Sequence, residues 1–119
     1  MSAFRGKLVL LPPHRVGRTY QGGRSLDALA GAAAPADSHF PEDWVASTTR
    51  AINAGRESVR EGVSPVTVGG ATHDFAALLA GDPEYFLGAK HAAKFGPHPQ
   101  LLVKLLDPSI RLHFQAHPT

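Results

Sequence analysis

Residues 101–117 read Leu-Leu-Val-Lys-Leu-Leu-Asp-Pro-Ser-Ile-Arg-Leu-His-Phe-Gln-Ala-His. The first six are apolar apart from Lys104 and are bounded by Pro99 and by Asp107-Pro108, a length that favours a buried strand over a helix. From Ile110 to His117 the pattern alternates. Ile110, Leu112, Phe114 and Ala116 fall on one face of a strand, and Arg111, His113, Gln115 and His117 on the other. Two strands joined by Asp107-Pro108-Ser109 predict a hairpin or a sheet-to-sheet corner. The fold class that follows is mainly β with a helical insertion.

The insertion lies upstream. Asp82-Pro83-Glu84 places a capping carboxylate, a proline at the first helical position and an acid in the first turn. The helix it predicts runs through Phe86, Leu87, Lys90 and Ala93 until Gly96-Pro97 stops it. Asp74–Leu79 reads as a shorter helix ended by Gly81. Before these, Trp44–Ala51 is rich in strand-favouring residues. Gly55 and Gly62 mark turns around a second short strand near Glu57–Arg60, and Pro65–Val68 reads as another. Near the start, Lys7–Leu11 reads as a strand cut off by Pro12-Pro13, since proline cannot continue a ladder. Gly22-Gly23 is a turn, and Ser25 caps a short helix with Leu26, Leu29 and Ala30 on one face.

With 119 residues, 43% of them hydrophobic and 18% charged, the chain can build one core and is expected to form one domain. It has no cysteine, so disulfides and thiolate metal sites are excluded. Its net charge of +2 comes from scattered arginines rather than a basic stripe, which argues against nucleic acid as a partner. No apolar run approaches the roughly 20 residues of a bilayer span, and Leu8–Leu11 is too short for a secretion signal. A soluble cytoplasmic protein with no membrane partner is the expectation.

His113, Gln115 and His117 sit at alternate positions of one predicted strand, roughly 6.5–7 Å apart at their Cα atoms. Zinc takes ligands at about 2.0–2.2 Å, so two such side chains can converge on one ion in front of a sheet. The same pattern also describes the solvated side of an amphipathic edge strand. Lys104, inside an apolar run, can equally carry its ammonium out to the sheet edge. Trp44 is expected in the core with its indole N–H bonded. Glu42 and Asp43 are neighbours in an extended segment and point to opposite faces, which argues against a cooperating acid–base dyad. Ser47, Thr48 and Thr49 have no evident activating base. For most of His14, His39, His73, His91 and His98 a surface position is the better reading.

Seven stretches resemble, in order, the amino-terminal part of the type I mannose-6-phosphate isomerases (phosphomannose isomerases) of the cupin superfamily. They are Arg18-Thr19-Tyr20 with Gly22-Gly23; Pro41-Glu42-Asp43-Trp44-Val45-Ala46-Ser47-Thr48; Glu61-Gly62-Val63-Ser64; Leu87-Gly88 with His91; Phe95-Gly96; Leu101–Asp107; and Phe114-Gln115-Ala116-His117-Pro118. The resemblance implies a partial cupin, jelly-roll-like domain and a zinc-dependent interconversion of mannose 6-phosphate and fructose 6-phosphate through an enediol. It places two zinc ligands on Gln115 and His117, and Lys104 in the sugar-phosphate pocket. A metal can polarise the carbonyl and hold two adjacent oxygens, while a lysine neutralises phosphate or enolate charge.

Two departures stand out. The family commonly has a small hydroxyl residue where this chain has His113, which is then a further ligand, a donor behind the ligands, or a plain substitution on an open face. The family also completes its metal site with a glutamate and a histidine downstream of the His-Pro. Residues 1–119 then correspond to the amino-terminal portion of a single cupin-type domain, ending just after the Gln-x-His-Pro strand. The piece alone is expected to bind zinc weakly, to be inactive as an isomerase, and to self-associate through an open strand edge. The contrasting expectation is a non-catalytic cupin-like module that binds a sugar phosphate or a protein partner.

Overall fold

A computed structural model describes residues 3–116 and 118. They form a small mixed α/β arrangement of two open antiparallel sheets and four short helices. The first sheet has the order β1 (Arg15–Val16), β2 (Glu42–Val45), β5 (Val103–Leu106). The second is the hairpin of β3 (Pro65–Val68) and β4 (Ala71–Asp74). Among the described residues neither sheet closes into a barrel, and helical positions outnumber strand positions, so the mainly β expectation becomes mixed α/β.

The hairpin follows from its turn. Gly69 and Gly70 adopt φ of 56° and 80°, the left-handed pair that a two-residue hairpin turn requires. Asp74 then caps α2 (Phe75–Gly81), its side chain accepting from the Ala77 N–H. Val66, Val68 and Leu78 form the core here, with Phe4, Val9, Phe75 and Phe86 packed against it. Of the strand expected at Lys7–Leu11, only Leu10 bonds to the sheet, exchanging both backbone bonds with Thr67. The prolines that follow cannot extend the ladder.

Several boundaries differ from expectation for local reasons. The second strand begins at Glu42 rather than Trp44 and ends at Val45, because Ala46 takes φ 49° and turns the chain. Ser47 and Ser64 fix that turn: the Ser47 N–H donates to Ser64 Oγ, and the Ser64 N–H to the Ser47 carbonyl, each at 2.8 Å. Glu57–Arg60 forms turns rather than a strand. The single helix expected from Asp82 onward is two, α3 (Pro83–Leu87) and α4 (Ala89–Phe95), divided by Gly88 at φ 85°. Asp82 does not cap with its side chain; its carboxylate takes two bonds from Arg5. Helix α1 (Arg24–Leu29) starts from a left-handed Gly23, and the Ser25 N–H donates to Asp107 instead of Ser25 acting as the cap.

The largest departure is at the carboxyl end. Residues 110–116 carry no regular structure, so the alternating strand expected at Ile110–His117 is absent over the part described. An alternating sequence forms a strand only where a neighbour accepts its backbone bonds, and over residues 110–116 no ladder forms with either edge of the sheet, β1 or β5.

Candidate functional site

In the first sheet, β2 pairs with β1 through Val16↔Glu42 and with β5 through Glu42↔Leu106 and Trp44↔Lys104. Directly paired residues share a face. Val16, Glu42, Trp44, Lys104 and Leu106 therefore lie on one side, while Arg15, Asp43, Val45, Val103 and Leu105 lie on the other. Arg18 and Tyr20, just past β1, complete a cluster on the first side.

Glu42 is its centre and is 6% exposed. The Tyr20 hydroxyl donates to Oε1 at 2.7 Å. The Trp44 indole N–H donates to Oε2 at 2.8 Å, and Arg18 Nε to the same oxygen at 3.1 Å. Lys104 Nζ stands 4.0 Å from Oε2 and 4.6 Å from the centre of the Trp44 ring. Arg18 also lies over that ring, 5.1 Å from its centre. Burial alone would raise the Glu42 carboxyl's pKa. The hydrogen bonds from Tyr20 and Trp44 and the charges of Arg18 and Lys104 outweigh it and hold the group below the usual range. Burial and the bond to Glu42 push the Tyr20 phenol well above its ordinary value, so it stays a donor at neutral pH.

A second buried carboxylate braces the first. Glu61 accepts from the Gly17 N–H at 2.9 Å, from Asn53 Nδ2 at 2.9 Å and from Arg56 at 2.6 Å. Asn53 Oδ1 in turn accepts from Arg18 Nη1 at 3.3 Å. Arg18 is thus held at two points. At the head of β5 a cleft of about 370 Å³ opens, with Thr48, Thr49, His98, Gln100 and Leu102 among its walls. It offers hydroxyl, amide and imidazole groups on the side of the sheet where Leu102 packs against Val16, Trp44 and Ala51.

Lys104 lies in a strand as expected, but that strand is Val103–Leu106 and largely exposed rather than a buried run from Leu101, and the Lys104 side chain folds over Trp44. Trp44 is 3% exposed and its N–H is bonded, as a core tryptophan requires. Glu42 and Asp43 point apart, Asp43 accepting from the His14 N–H at 2.9 Å. His113 and Gln115 are exposed in the irregular stretch, and His117 lies outside the described residues. The strand expected to aim Gln115 and His117 at one ion is absent over residues 110–116, and the pairing itself involves His117, outside the described residues. Among the described residues no three His, Asp or Glu side chains group as a metal site would need. Nor, among the described residues, is any helix long and apolar enough to cross a membrane.

Sequence reasoning missed the cluster around Glu42 and the engagement of His14. Two signals pointed to the cluster: a carboxylate and an indole two apart in a strand, and a single lysine in an otherwise apolar one. Compared with known proteins, the chain matches no family model, no curated protein and no solved structure.

Proposed function

We propose that this chain supplies the sugar-phosphate-binding part of a phosphomannose-isomerase-like site, on an amino-terminal cupin portion, with Lys104 as the cation that meets the phosphate. The observation that carries this reading is the convergence of Arg18, Tyr20, Glu42, Trp44 and Lys104 on one sheet face. Two cations share one carboxylate, which leaves a net positive charge for an anionic ligand. They are not equally committed. Arg18 is bonded to both Glu42 and Asn53, whereas Lys104 stands 4.0 Å from Glu42, the loosest of its partners. A phosphate dianion draws Lys104 away while Arg18 and Tyr20 keep Glu42 in place. The isomerisation moves a proton between C1 and C2 and puts charge on two adjacent oxygens, which a lysine at the pocket wall offsets.

The resemblance assigns zinc to Gln115 and His117, and turnover needs ligands that the described residues do not bring together. The 119-residue chain is therefore expected to bind substrate without converting it. The second reading, a non-catalytic module for a sugar phosphate or a protein, gains support from the exposed apolar row Leu101, Val103 and Leu105 along β5. The same row supports self-association through that edge.

Calorimetry with mannose 6-phosphate, mannose and inorganic phosphate, run beside a coupled isomerase assay with added zinc, tests the proposal. Binding that needs the phosphate and weakens about tenfold in Lys104→Ala supports it, since a hydrogen bond to a charged group contributes roughly 1.5–3 kcal/mol. Equal binding of mannose and mannose 6-phosphate, or none of either, overturns it. Isomerase turnover at an ordinary enzymatic rate contradicts the expectation of inactivity.

A further inference from the structure

His14 lies between the two sheets and is partly buried. Its backbone is committed on both sides: the N–H donates to Asp43 Oδ1, and the carbonyl accepts from the Trp44 N–H at 3.0 Å. Its ring is committed too, since Nε2 accepts from the Gly62 N–H at 2.9 Å. An imidazole that accepts at Nε2 carries its proton on Nδ1, and an imidazolium has no acceptor left. One proton added to this ring therefore turns an attractive contact into two N–H groups facing each other.

The turn on the far side of that bond is tightly seated. Gly62 has φ 100°, and a Cβ there would collide with the backbone of Ala51 and Thr49 and stand 3.0 Å from Trp44 Cζ3. The turn thus rests on the chain's single tryptophan. Glu61, the residue before it, holds Gly17, Asn53 and Arg56.

We infer that His14 is a proton-operated latch: protonation of its ring releases the Gly62 N–H and lifts the turn at residues 61–64 off the Trp44 indole. Solvent reaches the ring through a cleft of about 350 Å³ lined also by Arg60, Ser64, Thr72, His73 and Asp74. The charged and titratable groups facing it come from every neighbouring element. Asp43 of β2 and Glu61 favour the imidazolium. Arg60 across the cleft is paired with Asp74 at 2.5 Å, and His73 of β4 stacks edge-on against Phe4. Burial opposes the charge and outweighs Asp43 and Glu61, so the ring titrates below its ordinary 6.5. The latch is closed at neutral pH and opens only as the pH falls below that ordinary value. It follows from this geometry alone and does not depend on what the Glu42 cluster binds.

A pH titration of the wild-type chain by two-dimensional NMR, with tryptophan emission followed in parallel, tests the latch. The His14 ring, the Gly62 amide and the Trp44 emission are expected to change together, with one midpoint below 6.5. His14→Gln keeps an acceptor near Nε2 and cannot take up the proton, so the Gly62 and Trp44 transitions disappear. His73→Gln leaves them unchanged and serves as the control. A His14 midpoint at or above 6.5 overturns the proposal, as does a Gly62 amide that ignores His14's titration. Equal transitions in His14→Gln also overturn it. If His14→Gln does not fold, agreement or disagreement of the three wild-type midpoints decides the matter.

Discussion

The β3–β4 hairpin with α2 closes over Val66, Val68 and Leu78, whereas the three-stranded sheet closes over Glu42, Glu61, Ser47 and Ser64 as well as Val16 and Trp44. The first region is held by apolar burial, which has little orientation and no titration. The second is held by directed bonds among charged and hydroxyl groups, each costly to leave unpaired. The difference separates two tasks. The hairpin gives the amino-terminal segment somewhere to dock, through Phe4, Val9 and the Leu10–Thr67 bridge, while the sheet fixes Arg18 and Tyr20 on Glu42 and keeps Lys104 more loosely beside it.

The contrast breaks most visibly at its polar centre. Glu42→Ala leaves Arg18, Tyr20 and the Trp44 indole N–H without their shared acceptor. It should lower unfolding free energy in urea by about 3–5 kcal/mol, the range for removing one member of a buried ion pair. Leu78→Ala in the hairpin core should cost about 2–5 kcal/mol through lost contacts and a cavity. The pH dependence tells the two apart: the Glu42→Ala loss shrinks as pH falls, and the Leu78→Ala loss does not.

The sign follows from the shifts. Glu42 and Glu61 titrate below the ordinary 4.5 in the folded chain, so their contribution is full above 4.5 and is lost as pH falls through their folded values. His14 also titrates below its ordinary value, but there the neutral form is the one the fold favours. Its contribution is full above 6.5 and drains away as pH falls from 6.5 to the folded value. Urea midpoints measured from pH 8 to pH 3 should therefore fall in two stages, first with His14 and then with the carboxylates. His14→Gln should remove the first stage alone. The smallest effect is expected at Ala46, whose φ of 49° burdens any residue with a Cβ. Ala46→Gly should raise stability by about 1 kcal/mol, read as a higher urea midpoint.

The same contrast explains which parts of the fold could be read in advance. A short helix beginning near Asp74, Pro83 at a helix start and Pro65–Val68 as a strand are local facts, set by a few adjacent residues, and they hold. The end of β2 is not local. Trp44–Ala51 has strand-favouring side chains throughout, but Ser64, far along the chain, captures Ser47 and turns it aside. The Glu42 cluster gathers positions 18, 20, 42, 44 and 104, and no window of sequence contains it. Ile110–His117 errs in the other direction. Its alternation is real, yet over residues 110–116 no neighbouring strand receives it, and Phe114 stands fully exposed.

Chemical-shift mapping with mannose 6-phosphate tests the division of labour most directly. The expected result is saturable shifts at Arg18, Tyr20, Trp44 and Lys104, with Val66, Val68 and Leu78 unmoved, and none of this with mannose alone. Shifts gathered in the hairpin, or a sheet that ignores the phosphorylated sugar, would contradict it.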